Sequence, residues 1–418
     1  MKQIDVLDKT IFVNETNGDF SYYKEDVLDN SSPNIEEYIK SFNTKYLTIC
    51  INISNACNLA CKYCFNNFKK NKLMDFDYIQ RKIIQLVNRF SHCERFYIDL
   101  SGKGEPLLNL STIYKISKLC KSLSQKYNKD FVVLFVTNGM FLNKKTIKNL
   151  QKKDILFGIS LDGPKEIHNF FRTDKFNNPT YDLIMKNIRA IKKREYLGCA
   201  ITITNHTFDL LKTLLELDSY FETISIKPVR DIQYGFTQES IEAWIKEYEK
   251  LTIFFAEEIK NKRWKLLKKI INGDDYFGKF IFRCFLNVRV LNRCDAGITR
   301  FTIDENDKIY GCPASTIIPN QTIDFLNTKN QLSEQICLNK HLCSNCEFFY
   351  YCGGECEIER ILHNNKNNEI MCEFKKGLIK FAMYLKLFAL FEFPNIFIEI
   401  YSFCQEKMNR KKFNNDND

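Results

Sequence analysis

Three cysteines, Cys57, Cys61 and Cys64, stand in the pattern CxxxCxxC within "NACNLACKYCFNN". Thiolates this close together are good ligands for iron–sulfur clusters and for zinc. Closed zinc sites and ordinary 4Fe-4S clusters take four protein ligands, and no histidine lies nearby to complete the set. A cubane held by three thiolates leaves one iron open to bind and activate a small molecule, as an open catalytic metal site differs from a closed structural one. The competing readings of the spacing are core thiols with a chance third, or a zinc knuckle with a remote fourth ligand.

A second cysteine field occupies the C-terminal third. Cys294 and Cys312 lie in "RCDAGITRFTIDENDKIYGCPAS", Cys343, Cys346, Cys352 and Cys356 in "CSNCEFFYYCGGEC", and Cys372 follows. The surroundings are turn-rich and poor in apolar periodicity, so such a segment buries too little to hold itself and metal ligation is its expected source of order. A zinc ribbon is the structural alternative.

The elements that must position these groups are legible upstream. The runs "YLTICINI", "RFYIDL", "FVVLFV", "ILFGISL", "GCAITIT" and "TISIKPV" alternate with helical stretches, the order of repeated βα units around a parallel sheet. In barrels of such units function sits where strands end. The first exit leads to the triple-cysteine loop and the others to "SGKGEPLLN", "VTNGMFLN", "ISLDGPKEIHNFFR", "TITNH" and "IKPVR". Singly, Asn138-Gly139 and Asp162-Gly163-Pro164 are ordinary turn formers and Glu105 is a helix cap. Together they converge on the end that carries the open cluster.

The 418 residues are 44% hydrophobic and 27% charged, an ordinary globular composition. Seventeen cysteines with no secretory signal in "MKQIDVLDKTIFVNE" indicate a reducing, cytoplasmic setting and thiols that ligate rather than cross-link. The net charge of +10 decides little, because the lysines are scattered over helical stretches. The most apolar segment, "LIKFAMYLKLFALFEFPNIFIEIYSF", is interrupted by charges and Pro394, and reads as an amphipathic helix broken at the proline. It packs on the main body or, less favoured, touches a membrane surface; the tail "KKFNNDND" frays. The first 45 residues read as a hairpin around Asn17-Gly18 and a helix "IEEYIKSF", covering one edge of the barrel or capturing a peptide by strand addition.

The three thiols with aromatic Tyr63 before the last, followed in order by the GEP, TNG and SLDGP…R loops, resemble the radical S-adenosylmethionine (radical SAM) enzymes over roughly residues 46–230. The resemblance implies an α/β fold, a partial (β/α)6 barrel, in which the methionyl amine and carboxylate of SAM chelate the open iron of a 4Fe-4S cluster. One electron then cleaves SAM to methionine and a 5′-deoxyadenosyl radical that abstracts a substrate hydrogen. Carried over by position, Gly104 and Glu105 hold the methionyl amine, Ser160 and Arg172 sit near ribose and carboxylate, and Lys227 and Val229 line the adenine pocket. Two departures stand out: the family's double glycine is Lys103-Gly104, and the acid often found after the fourth-loop histidine is Asn169. The second field resembles the SPASM extension of peptide-modifying members, which binds two auxiliary 4Fe-4S clusters. That pattern assigns Cys294, Cys312 and Cys356, with Cys284 as fourth thiol, to one cluster, and Cys343, Cys346, Cys352 and Cys372 to the other. Asn306-Asp307 stands in for the pattern's "DG" turn. Cys50, Cys93, Cys120, Cys199, Cys337 and Cys404 fall outside it. The implied organisation is 1–45 N-terminal element, 46–235 radical SAM core, 236–283 helical linker, 284–374 SPASM domain and 375–418 C-terminal helix and tail.

The expected activity is radical modification of a peptide or protein, namely maturation of a ribosomally made peptide by a thioether or carbon–carbon crosslink, with flavodoxin or ferredoxin as electron donor. The nearest alternative is an anaerobic sulfatase-maturating enzyme. Those carry a catalytic aspartate where this chain has Pro313, although Asp295 follows Cys294. From another class, an iron–sulfur nucleic-acid-binding or redox-sensing protein explains charge and thiols but not the Glu105, Ser160 and Arg172 exits, so no nucleic-acid partner is expected.

Overall fold

The computed structural model describes residues 1–27, 34, 38, 45–64, 66, 73–192, 197–230, 233–273, 275–304, 308–318, 328–362 and 369–412. All six expected strands form: β4 (Tyr46–Ile51), β5 (Arg95–Asp99), β6 (Asp130–Thr137), β7 (Leu156–Ser160), β8 (Gly198–Ile203) and β9 (Thr223–Pro228). They follow β1 (Lys2–Val6), β2 (Lys9–Val13) and β3 (Phe20–Ser21), which make a separate antiparallel sheet. From β5 onward the barrel strands alternate buried and half-buried residues. Phe96 and Ile98, Val133 and Phe135, Phe157 and Ile159, Cys199 and Ile201, Ile224 and Ile226 point one way and are buried. Their neighbours point to the opposite face and are mostly half-buried, as period-two geometry requires. Outside, the Phe76–Arg89 helix buries Ile79, Ile83 and Leu86, and the Leu110–Tyr127 helix buries Ile113, Ile116, Cys120 and Leu123, apolar stripes at helical spacing laid on the sheet.

The sheet has eight strands, not six, in the order β11-β10-β4-β5-β6-β7-β8-β9. The added pair comes from the second cysteine field. β10 (Arg300–Ile303) runs parallel to β4, with Arg300 opposite Thr48 and Ile303 opposite Ile51, and β11 (Ile309–Tyr310) turns back antiparallel to β10. Phe301 and Ile303 are buried there. The field therefore draws part of its order from backbone pairing with the barrel, in addition to whatever its thiols bind.

The N-terminal sheet contains the expected hairpin around Asn17-Gly18 and adds a strand before it. Its first turn falls at Leu7-Asp8, while Asn17-Gly18 joins β2 to β3. It also packs on the cysteine field: Phe20 meets Tyr351 edge to face at 5.5 Å, Lys2 pairs with Glu347 at 3.0 Å, and Arg289 pairs with Asp19. Most of the "IEEYIKSF" helix and all of Asn306-Asp307 lie outside the described residues, as does the end of the tail.

The C-terminal segment breaks at the proline as expected, into helices Glu369–Glu392 and Pro394–Lys412. The first packs on helices Gln238–Lys260 and Tyr276–Leu286; Phe374 meets Phe236 at 5.1 Å and Tyr248 at 5.6 Å. Its apolarity is thus accounted for by protein contact. Among the described residues no helix is long and apolar enough to cross a membrane.

Candidate functional site

The triple-cysteine loop leaves β4 at Asn52 and is laid along the fourth exit like an extra strand. Ala60 N and Lys62 N donate to the carbonyls of Thr173 and Phe171, each at 2.9 Å. Cys64 N donates to Cys61 O at 3.2 Å, and Leu59 N to Cys57 Sγ at 3.4 Å. Burial, opposed by Arg172 and aided by the Cys64 and Cys57 thiols, pushes the Cys61 thiol up to about 11. The three sulfurs therefore share one neighbourhood. A pocket beside Cys57 is bordered by Asn58, Leu108, Asp174, Lys175 and Phe176. Among the described residues no three Cys, His, Asp or Glu side chains converge closely enough to hold a single ion. Cubane ligands sit one per iron and are spaced more widely than the four ligands of one zinc.

The second exit abuts this loop. Gly104 has φ +65°, and a Cβ there would lie 2.3 Å from Ala56 O and 2.5 Å from Ser54 O, so only glycine lets the two loops touch. Glu105 N donates to Ala56 O at 2.8 Å. The Glu105 carboxylate is buried and accepts from Leu107 N (3.0 Å), Thr137 Oγ1 (2.6 Å) and Asn138 N (2.8 Å). It does cap the short helix Pro106–Asn109, but the third-exit residues Thr137 and Asn138 also hold it. Three of a carboxylate's roughly four lone-pair sites are used, which leaves one for a ligand amine. Burial still raises its pKa, against these hydrogen bonds.

The fourth exit carries the strongest electrostatic pairing. Arg172 Nε donates to Asp162 Oδ2 at 2.6 Å, with Asp162 fully buried, and Arg172 Nη1 lies 4.0 Å from Cys61 Sγ. Asp162 also accepts from Thr202 N at 2.8 Å and from the Tyr63 hydroxyl. Burial alone would lower the Arg172 pKa, but Asp162 more than offsets it and keeps the guanidinium charged. With Nε spent on Asp162, the outer Nη groups remain to meet a carboxylate. His168 orders the loop. Thr180 Oγ1 donates its one hydrogen to Arg172 O (2.6 Å), so His168 Nε2 must donate to Thr180 Oγ1 (3.1 Å) and Nδ1 accepts from Asp162 N (3.2 Å). Asn169 Oδ1 accepts from Thr180 N (3.1 Å) and Tyr181 N (3.0 Å), capping duty that an acid would also perform.

Ser160 is half-buried at the end of β7, Lys227 is exposed on β9, and Val229 N is tied to Ile203 O at 2.8 Å. Lys103 pairs with Asp304, fully buried just past β10, at 3.3 Å. Asn52 Nδ2 donates to the same carboxylate at 3.2 Å. The lysine that replaces a glycine is thereby neutralised by a residue from the cysteine field.

That field gathers its thiols in two places. Burial, then the thiols of Cys352, Cys346 and Cys372, pushes Cys343 up to about 12, so these four lie together. Cys294 and Cys356 are also neighbours. The turn between Cys352 and Cys356 needs both of its glycines: Gly353 and Gly354 have φ +76° and +86°, and a Cβ on either would lie 2.6 Å from Asn292 or Asn339. Cys312 precedes the short helix Pro313–Ile317. Cys284 sits fully buried in the Tyr276–Leu286 helix, where burial, against Lys386 and Arg283, pushes its thiol up to about 12. Sequence reasoning passed over Asp162, Thr137, Asn138 and Asp304 as functional groups. The first three were visible only as turn residues, and Asp304 sits in a stretch read as metal-ordered loop.

Residues 51–218 match the radical SAM superfamily. An uncharacterised protein of Methanocaldococcus jannaschii is 28% identical over 68% of this chain and 90% of its own length. A cysteine-type anaerobic sulfatase-maturating enzyme of Clostridium novyi is 24% identical over 80% of this chain and 96% of its own. Among solved structures, that of anSMEcpe with bound AdoMet and a peptide superposes with a TM-score of 0.66 at 20% identity, covering 85% of this chain and 99% of that one. With the cysteine loop, the Gly104-Glu105 contact and the Arg172 exit all inside the matched region, the chain carries a radical SAM domain at residues 51–218.

Proposed function

We propose that this chain reductively cleaves SAM and uses the resulting radical to modify a ribosomally made peptide, forming a thioether or carbon–carbon crosslink. The observation that carries the reading is the convergence of Cys57, Cys61 and Cys64 with buried Glu105 and with Arg172 braced by Asp162. A 4Fe-4S cluster on the three thiols supplies the electron and the open iron. Glu105 offers its remaining lone-pair site to the methionyl amine beside Gly104. Arg172 presents its outer nitrogens to the methionyl carboxylate, with Ser160 near the ribose and Lys227 and Val229 toward the adenine. One further cluster would be held by the gathered thiols Cys343, Cys346, Cys352 and Cys372, and another by Cys294 and Cys356, which are neighbours, with Cys312 and Cys284 as the remaining assigned ligands. They take up the electron left on a substrate radical or bind a substrate thiolate. A small reductant such as flavodoxin or ferredoxin feeds the chain, in the cytoplasm. That anSMEcpe binds AdoMet and a peptide on the same fold supports a peptide substrate.

Sulfatase maturation is the second reading, favoured by the Clostridium novyi relative. Against it, the residue after Cys312 is Pro313, which opens a 3-10 helix and carries no base. Asp295, the remaining candidate, is engaged by Thr299 Oγ1 at 2.8 Å and Arg300 at 3.5 Å. The test is anaerobic incubation of the reconstituted protein with dithionite, SAM and two substrates in parallel: a synthetic cysteine-containing peptide, and a sulfatase-derived cysteine peptide. Release of 5′-deoxyadenosine with loss of two hydrogens from the first peptide is expected. Conversion of only the sulfatase peptide to an aldehyde would replace this reading with the second.

A further inference from the structure

Lys375 lies on the Glu369–Glu392 helix three residues after Cys372, hence on the same face. It is 1% exposed, and its Nζ has no hydrogen-bond partner among the described residues. Burying an ammonium in that state costs several kcal/mol unless a counter-charge faces it. The charged groups around it are the thiols of Cys352 and Cys372, Arg293 and Glu359, and it also reaches Cys343. Glu359 cannot serve as its private partner. It pairs with Arg293 at 3.0 Å and with Arg230 at 3.6 Å, and three cations, Arg293, Arg230 and Lys375, hold its carboxyl down at about 2 against burial. Lys375 and Arg293 lie here with the carboxylates of Glu359 and Glu355, and of these cations Lys375 is the one whose Nζ has no hydrogen-bond partner among the described residues and has the Cys352 and Cys372 thiols around it. Glu355, itself buried, faces Cys372 from another side, and Lys376 adds a further cation toward Cys346 and Cys372.

We propose that Lys375 is the fixed charge that raises the reduction potential of the centre held by Cys343, Cys346, Cys352 and Cys372, fitting that centre to accept an electron. This rests on the reading that those four thiols carry a 4Fe-4S cluster. Taking up one electron makes a four-thiolate centre more negative by one charge, and cluster potentials follow net charge and hydrogen bonds to the sulfurs. A buried ammonium near two of the ligands stabilises the reduced form more than the oxidised one. The electron comes from the substrate radical left after hydrogen abstraction; the substrate is oxidised as the centre is reduced. Arg293 and Glu359, between Lys375 and the neighbours Cys294 and Cys356, place the same charged cluster beside the other thiol group. Lys375 is a positioning residue that touches no substrate.

The experiment is a redox titration of the anaerobically reconstituted holoenzyme followed by electron paramagnetic resonance, comparing wild type, Lys375→Met and Lys375→Arg, with Lys380→Met as a control on the same helix. In Lys375→Met one auxiliary signal should fall in potential by a tenfold or larger change in its one-electron equilibrium, about 59 mV. The Cys57, Cys61 and Cys64 signal should stay in place, Lys375→Arg should restore the potential, and Lys380→Met should leave all three unchanged. Full iron content with three wild-type potentials in Lys375→Met overturns the proposal. If Lys375→Met loses four irons, rescue by Lys375→Arg supports a charge role, and failure of both variants to hold iron shows a packing role and overturns it. A wild-type protein with no iron on the four thiols refutes the cluster reading itself and takes the inference with it.

Discussion

Asp162 and Arg172 offer a direct test of how the guanidinium proposed to meet SAM is held. Asp162→Asn keeps the size of the side chain and an acceptor for Thr202 N, but leaves Arg172, 11% exposed at its side chain, charged and without its counter-ion. Arg172→Gln does the converse to a fully buried carboxylate. Breaking a buried pair by removing one partner costs about 3–5 kcal/mol, whereas removing both charges costs far less, since no lone charge remains. With about 2 cal/mol/K of unfolding entropy per residue over 418 residues, each kcal/mol lowers the midpoint by about 1 °C, so each single variant should melt roughly 3–6 °C below wild type. The double variant Asp162→Asn with Arg172→Gln should melt above the lower of the two single variants, because the penalties are not additive when the partners touch. Thermal unfolding followed by circular dichroism, on protein with matched iron content, reads all four forms. Single-variant shifts under about 1 kcal/mol, or a double variant equal to the sum of the singles, would refute the pairing as the brace of this exit.

Three further outcomes follow. Anaerobically reconstituted protein should carry about twelve irons per chain, falling by about four when Cys57, Cys61 and Cys64 are changed together to alanine; colourless protein with stoichiometric zinc would sink the cluster assignments. Arg172→Ala should weaken SAM binding by about 1.5–3 kcal/mol, the worth of a hydrogen bond to a charged group, measured by equilibrium dialysis; unchanged affinity removes Arg172 from the site. His168 is buried, which pulls its pKa down to about 4 from its ordinary 6.5. The unfolded chain therefore binds the extra proton first, and the stability this group contributes is full above pH about 6.5 and declines as pH falls toward 4, by up to about 3 kcal/mol. His168→Asn, which keeps an acceptor for Asp162 N, should flatten stability over that interval, and an unaltered pH profile would show that His168 is not the titrating group.

The primary structure alone fixed what depends on local spacing. Short β-rich runs between helical stretches marked β4 through β9, because strand-forming residue types and the order of the βα units are properties of each segment. Pro394 broke the C-terminal helix because the ring removes a backbone donor and collides with the preceding turn. The CxxxCxxC loop announced its chemistry because ligand type and spacing are properties of the segment. Tertiary structure decided which distant segments became partners. The four-residue strand at Arg300–Ile303 has too little length to declare itself, and it forms because β4 offers an unpaired edge. Asp162 reads as a turn former until Arg172 and Tyr63 are folded onto it, since nothing local says that a turn carboxylate will lie fully buried with a cation. Lys375 stands just before the apolar run that the sequence singles out and carries no signal of its own. Only when that helix packs beside Cys343, Cys346 and Cys352 does the charge acquire a direction, because burial and counter-charge belong to the space between elements and not to any one of them.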